Sequence, residues 1–162
     1  MAERSVKKYV AKMPAVDLLG YAITDVVFHV NAENIEQLPV IFDRNDIERL
    51  TATRYNKDNL SIWQVEMELG IKKEAQGKYA YNWCIRLIGV FKVNLSVDSL
   101  SLDELEKHVR LNGATLLYTT AREYLRTLSS TAPKGAFLLP TVTFFEASPP
   151  KNQTKKKAET KS

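Results

Sequence analysis

The sequence predicts an α+β domain: a three- or four-stranded antiparallel sheet with helices covering one face. Two observations carry the prediction. Residues 61–94 alternate apolar and polar side chains in two runs joined by a short polar turn, the mark of a half-buried hairpin. Residues 101–131 then change to helical spacing, so strands and helices are segregated along the chain. A length of 162 residues suits one such domain, which withdraws roughly 70% of its unfolded surface from water.

Residues 1–16 are polar and basic, contain Pro14, and read as a loose arm. Residues 21–31 read as a strand, with Val26, Phe28 and Val30 on one face. Residues 32–60 hold Pro39, Asp43, Asn45, Asn56, Asp58 and Asn59; they read as a long crossover with a short strand at 38–42. Residues 61–75 form a strand with Trp63, Val65, Met67, Leu69 and Ile71 on one side and Gln64, Glu66 and Glu68 on the other. Residues 79–94 form its hairpin partner, with Tyr79, Tyr81, Trp83, Ile85, Leu87, Phe91 and Val93 aligned.

Ser101-Leu102-Asp103-Glu104 is a capping box that starts a helix, and Asn112-Gly113 reads as its stop. Residues 114–131 form a second helix, or continue the first after a break, ended by Pro133 and Gly135. Residues 136–146 read as a last strand, with Pro140 implying an edge or a kink. Residues 148–162 are rich in Ser, Pro, Asn and Lys and are expected to be disordered.

The net charge of +4 is concentrated at the ends. Residues 151–162 hold five Lys and one Glu, and residues 1–12 hold four basic residues and one acidic. The remaining 13–150 carry 14 basic and 17 acidic residues, which argues against a basic surface gripping nucleic acid. The single cysteine, Cys84, can form no intrachain disulfide. No stretch approaches the ~20 apolar residues of a membrane span, and no apolar leader opens the chain, so a cytoplasmic setting is expected.

No catalytic constellation is legible, and an enzyme is not expected. His29 and His108 stand apart with no patterned partner, metal-ligand spacing is absent, and Gly89 and Gly113 stand alone rather than in a phosphate loop. Neither a cofactor nor a metal is expected. Cys84 reads as an inert thiol, and Glu66 with Glu68 as a solvated strand face. What stands out is aromatic content: Trp63, Tyr79, Tyr81, Trp83 and Phe91 point one way, more apolar surface than a short helical layer covers. They are either sheet core or, in part, the lining of an apolar groove.

Residues 79–144 resemble the SecB family of export chaperones. Ile88-Gly89-Val90-Phe91-Lys92-Val93 is similar to the family's glycine-isoleucine-phenylalanine strand ending. Asn112-Gly113-Ala114-Thr115-Leu116-Leu117-Tyr118-Thr119-Thr120-Ala121-Arg122-Glu123 is similar to its helix, and Phe137-Leu138-Leu139-Pro140-Thr141-Val142-Thr143-Phe144 to its closing run. With the strand and crossover before them, the resemblance spans about residues 21–146, within a domain bounded at 17–147.

The resemblance implies a four-stranded antiparallel sheet with a long crossover, helices packed on one face, and a tetramer built as a dimer of dimers. It implies an ATP-independent holdase that binds unfolded clients, either preproteins or an antitoxin, in apolar grooves. The residues expected to meet clients are Phe42, Tyr81, Trp83, Leu139 and Phe144. Those expected between subunits are Leu117, Tyr124, Leu125 and Leu128, with Leu116 widening the stripe. The family's export members meet the motor ATPase through acidic strand positions, about where Cys84 and Arg86 stand here, and the family's last helix is replaced by a lysine tail. The alternative reading is an adaptor with one fixed folded partner. A third is nucleic-acid binding by the terminal lysines, which steep salt dependence would reveal.

Overall fold

The computed structural model describes residues 16–33, 35–94, 100–142 and 144. Apart from Val16, the basic arm lies outside the described residues, as does the lysine-rich tail. Four strands, β1 (Val16–Val30), β2 (Ile47–Asn56), β3 (Asn59–Ile71) and β4 (Tyr81–Val93), precede one helix, α1 (Leu102–Ser129). They form one antiparallel sheet in the order β1-β4-β3-β2. Residues 31–46 cross from one sheet edge to the other, and α1 lies over all four strands.

The hairpin pairs as its alternation requires: Trp63 faces Phe91, Val65 faces Gly89, Met67 faces Leu87 and Leu69 faces Ile85. These side chains are buried under the helix, where each large one contributes about 2 kcal/mol of hydrophobic stabilisation. The other face carries Gln64, Glu66 and Glu68, and stays half-open to solvent.

Four expectations are corrected. The short strand at 38–42 is absent; β2 forms instead at Ile47–Asn56. Asn56, Asp58 and Asn59 are not crossover breakers but the tight turn of the β2–β3 hairpin, where the Asn56 side chain accepts the Asp58 N–H. Two helices merge into one, because Asn112-Gly113 is helix interior rather than a stop. Gly113 is buried against the sheet, and a Cβ there would lie 2.7 Å from Val65 Cγ2. Finally, residues 136–142 join no ladder. They run extended over the same sheet face as the helix, where no backbone neighbour can pair with them.

The capping box is formed: the Ser101 hydroxyl accepts the Glu104 N–H, and the Glu104 carboxylate accepts the Ser101 N–H at 2.8 Å. Two tyrosines, Tyr79 just before β4 and Tyr81 at its start, secure the covering segments. Tyr79 donates its hydroxyl to Asp46 at 2.7 Å and accepts the Asp43 N–H at 3.0 Å, fastening the end of the crossover. Tyr81 accepts the Lys134 N–H and donates to the Gly135 carbonyl, fastening the turn after α1. Gly135 takes φ +74 there, a conformation that side chains resist. Lys134 in turn donates its ammonium to the carbonyls of Glu36 and Leu38.

Candidate functional site

Beside α1, the sheet face holds an aromatic cleft. Phe28 of β1, Phe42 of the crossover, and Tyr81 and Trp83 of β4 surround Phe137, with ring centroids 6.4, 4.8, 5.8 and 5.9 Å from it. Offset and edge-on pairs at these distances hold beyond their buried area. Phe137 enters from the extended segment 136–142, which alternates as a strand would: Phe137 and Leu139 point in, Leu138 points out and is 52% exposed. Its ends are stitched to the helix. Buried Ser129 accepts the Phe137 N–H at 3.1 Å, and Tyr118 donates its hydroxyl to the Pro140 carbonyl at 2.7 Å.

Of the five residues expected to meet clients, Phe42, Tyr81, Trp83 and Leu139 are buried in this cleft and Phe144 is half-buried against Tyr118. Phe42, Tyr81 and Trp83 converge as floor and wall; Leu139 and Phe144 belong to the strap lying over them. The aromatic excess noted in the sequence is therefore covered within the chain by residues 31–46 and 136–142. Phe137 and Phe28, which the sequence reading did not single out, are central. The sequence placed Phe28 and Phe137 in extended runs, but nothing local to it lays residues 136–142 on the sheet. In this cleft the Trp83 indole N–H is buried without an acceptor among the described residues.

The helix residues divide. Leu117 and Leu125 are fully buried against the sheet, so within the chain they are core residues. Tyr124 and Leu116 face out at 39% exposure, with Leu128 half-buried beside them.

Among the described residues β1 has a strand neighbour on one side only. Its open edge carries Leu19, Tyr21, Val27 and Val30, all exposed, with bulges between Leu18 and Gly20 and between Ile23 and Asp25. An open apolar edge of fifteen residues is a template for another chain, and bulges temper it. On the outer sheet face, Arg86 is bound by Glu68 at 2.7 Å and Arg54 by Glu66 at 3.3 Å. Burial pushes the Cys84 thiol above its ordinary pKa, and Glu68 and Asp25 push the same way, which disfavours the thiolate. Among the described residues no group of His, Cys, Asp and Glu could hold a metal, and no helix is long and apolar enough to cross a membrane.

Arg44, Arg49 and Arg122 all act electrostatically on the Tyr118 phenol, whose pKa burial raises.

No family model and no curated relative matches the chain. Among solved structures, a SecB-like chaperone of Mycobacterium tuberculosis, in complex with a ChAD peptide from the HigA1 antitoxin, is similar over 80% of this chain and 88% of its own. The TM-score is 0.57 at 15% identity, a likeness of fold. A Streptococcus agalactiae protein of unknown function is similar over 81% of this chain and 100% of its own at 15% identity, with a TM-score of 0.42, too low to argue from. The chain thus has a SecB-like fold.

Proposed function

We propose that the chain is an ATP-independent holdase that binds non-native polypeptides in the cytoplasm. The observation that carries this reading is the aromatic cleft, which already holds an extended apolar run with alternate side chains buried and no ladder partner. A client segment with the same pattern competes for that seat, lifting 136–142 and reaching Phe42, Tyr81 and Trp83; the segment's own Leu139 and Phe144 are what it replaces. The open edge of β1 adds a place for strand pairing. The antitoxin peptide held by a fold neighbour supports antitoxin protection over preprotein export. Docking to an export motor is left out of the reading, because Cys84 and a Glu68-bound Arg86 stand where acidic residues are needed.

The assembly we propose is a homotetramer, a dimer of dimers meeting through the outward face of α1. Leu116, Tyr124 and Leu128 supply the contact, while Leu117 and Leu125 hold the helix down from within.

The test is aggregation of a chemically denatured client diluted into buffer without nucleotide, followed by light scattering. Suppression at a few-fold molar excess is expected, and none at that excess refutes the reading. An adaptor with one folded partner would suppress nothing and bind no panel of unrelated unfolded peptides. A particle of one chain mass at micromolar concentration refutes the tetramer.

A further inference from the structure

We propose that Lys134 is the clasp that holds the aromatic cleft shut, a positioning residue whose release admits an extended polypeptide. The role rests on the holdase reading for what enters the cleft, and deepens that reading by naming what sets access to it.

Two separate covers meet over the cleft. The crossover brings Phe42 and the segment 136–142 brings Phe137, whose rings lie edge-on with centroids 4.8 Å apart. Each cover is tied down at a different place. The Pro39 carbonyl accepts the Ala80 N–H at 2.9 Å, and the Tyr79 hydroxyl joins Asp43 and Asp46, so the crossover is fastened beside the start of β4. The segment 136–142 is fastened to α1, through Ser129 and Tyr118.

Lys134, in the turn that leads from α1 into 136–142, joins one cover to the other. Its ammonium donates to the carbonyls of Glu36 at 3.0 Å and of Leu38 at 3.2 Å, across 98 and 96 residues of chain. Both carbonyls lie at the end of the 3-10 turn Ile35–Gln37. The end of a helical turn leaves acceptors without internal donors, and a lysine there satisfies them. A charged donor makes these bonds stronger than neutral ones.

The clasp is coupled to the cleft through Tyr81. The Tyr81 hydroxyl accepts the Lys134 N–H at 2.9 Å and donates to the Gly135 carbonyl at 3.1 Å, so the turn sits on the tyrosine that a client is to reach. Lifting 136–142 far enough to uncover Tyr81 moves this turn, and Lys134 with it. A client's apolar side chain in the Phe137 seat can replace the ring contacts that Phe137 gives up, but it brings no ammonium to Glu36 and Leu38. The Lys134 contacts are therefore made in the closed cleft and lost in the open one. An interaction present in one state alone sets the balance between the two.

The experiment compares the full wild-type chain with K134M, which keeps the apolar stem and removes the donors, and K134R, which keeps donors. A labelled peptide alternating Phe or Leu with Ser is followed by stopped-flow fluorescence anisotropy. Apparent affinity scales with the fraction of open cleft, so K134M should bind about ten-fold more tightly, the worth of a lost charge-assisted hydrogen bond. The gain should lie in the association rate, with dissociation unchanged, and K134R should return close to wild type. Amide exchange reads the strap without any client. At low urea, where exchange reports local opening, the Phe137 N–H should exchange about ten-fold faster in K134M. A K134M that binds the peptide no better than wild type overturns the clasp and leaves the holdase reading standing. Faster exchange confined to sheet-centre amides such as Met67 also overturns it, because Lys134 then serves the whole fold and not the strap. If neither wild type nor K134M binds the peptide, the holdase reading fails and exchange alone decides: acceleration at Phe137 supports the clasp, and none overturns it.

Discussion

Replacing Gly113 by Ala sets two effects of opposite sign against each other. Inside a free helix the change stabilises by about 1 kcal/mol, because glycine gives up more backbone freedom than alanine. Here the new methyl would lie 2.7 Å from Val65 Cγ2 and 3.3 Å from two atoms of the Phe91 ring. Val65 is fully buried and β-branched, held in the middle of the sheet, so it cannot swing aside as a flexible tip would. Overpacking of this kind costs about 2 kcal/mol. The expected balance is a loss of about 1 kcal/mol, or about 3 °C in Tm. Urea unfolding by far-ultraviolet circular dichroism at fixed protein concentration measures it. A second arm adds Val65→Ala, which removes the clashing methyl, so the two changes should cost less together than the sum of each alone. A gain of about 1 kcal/mol from G113A, or strict additivity in the pair, would refute the claim that this glycine exists for close helix–sheet approach.

Leu125→Ala should cost about 3 kcal/mol by urea unfolding, as a fully buried leucine does, whereas Tyr124→Asp should leave the subunit folded and lower the particle mass seen by light scattering. Ser101→Ala removes the hydroxyl that accepts the Glu104 N–H, and should cost about 1 kcal/mol with faster amide exchange in the first turn of α1. The Tyr79 hydroxyl, helped by Lys78, holds the Asp46 carboxyl below its ordinary pKa. A carboxylate depressed in the fold contributes stability above its unfolded pKa and loses it as pH falls through the folded value. The advantage of wild type over Tyr79→Phe should therefore shrink below about pH 4, and a gap in urea midpoints that is constant from pH 7 to pH 3 would contradict this.

The sheet centre was legible because β3 and β4 alternate strictly between large apolar and polar side chains, and burial on one face leaves that trace in any sequence. β2 was not, because it is an edge strand: its inward positions are Ile47, Arg49, Thr51, Thr53 and Tyr55, with Leu50 outward, so no apolar face is written into it. Asn112-Gly113 looked like a helix stop because local rules cannot see Val65 and Phe91 across the gap. Residues 136–142 have the alternation of a strand yet pair with nothing, since period-2 burial reports an extended chain on an apolar surface and says nothing of hydrogen-bonded neighbours. The cleft was half visible: Phe42, Tyr81 and Trp83 stood out as aromatic, but Phe137 at their centre arrives from the far end of the chain.

The unmatched indole of Trp83 makes the strap over it observable by light. Only two tryptophans occur in the chain, and both are buried. Trp63 donates its N–H to the Leu60 carbonyl at 2.7 Å and lies away from the strap, so it contributes a steady background that a W63F variant removes. Trp83, stacked near Phe137 with its N–H facing no acceptor, should then emit at short wavelength. A polypeptide that lifts residues 136–142 and leaves the indole wet would redden and dim that emission. One that settles on the β1 edge or the outer face of α1 would leave the spectrum as it was. The chain thereby carries its own dye, one whose colour distinguishes which apolar surface a partner has taken.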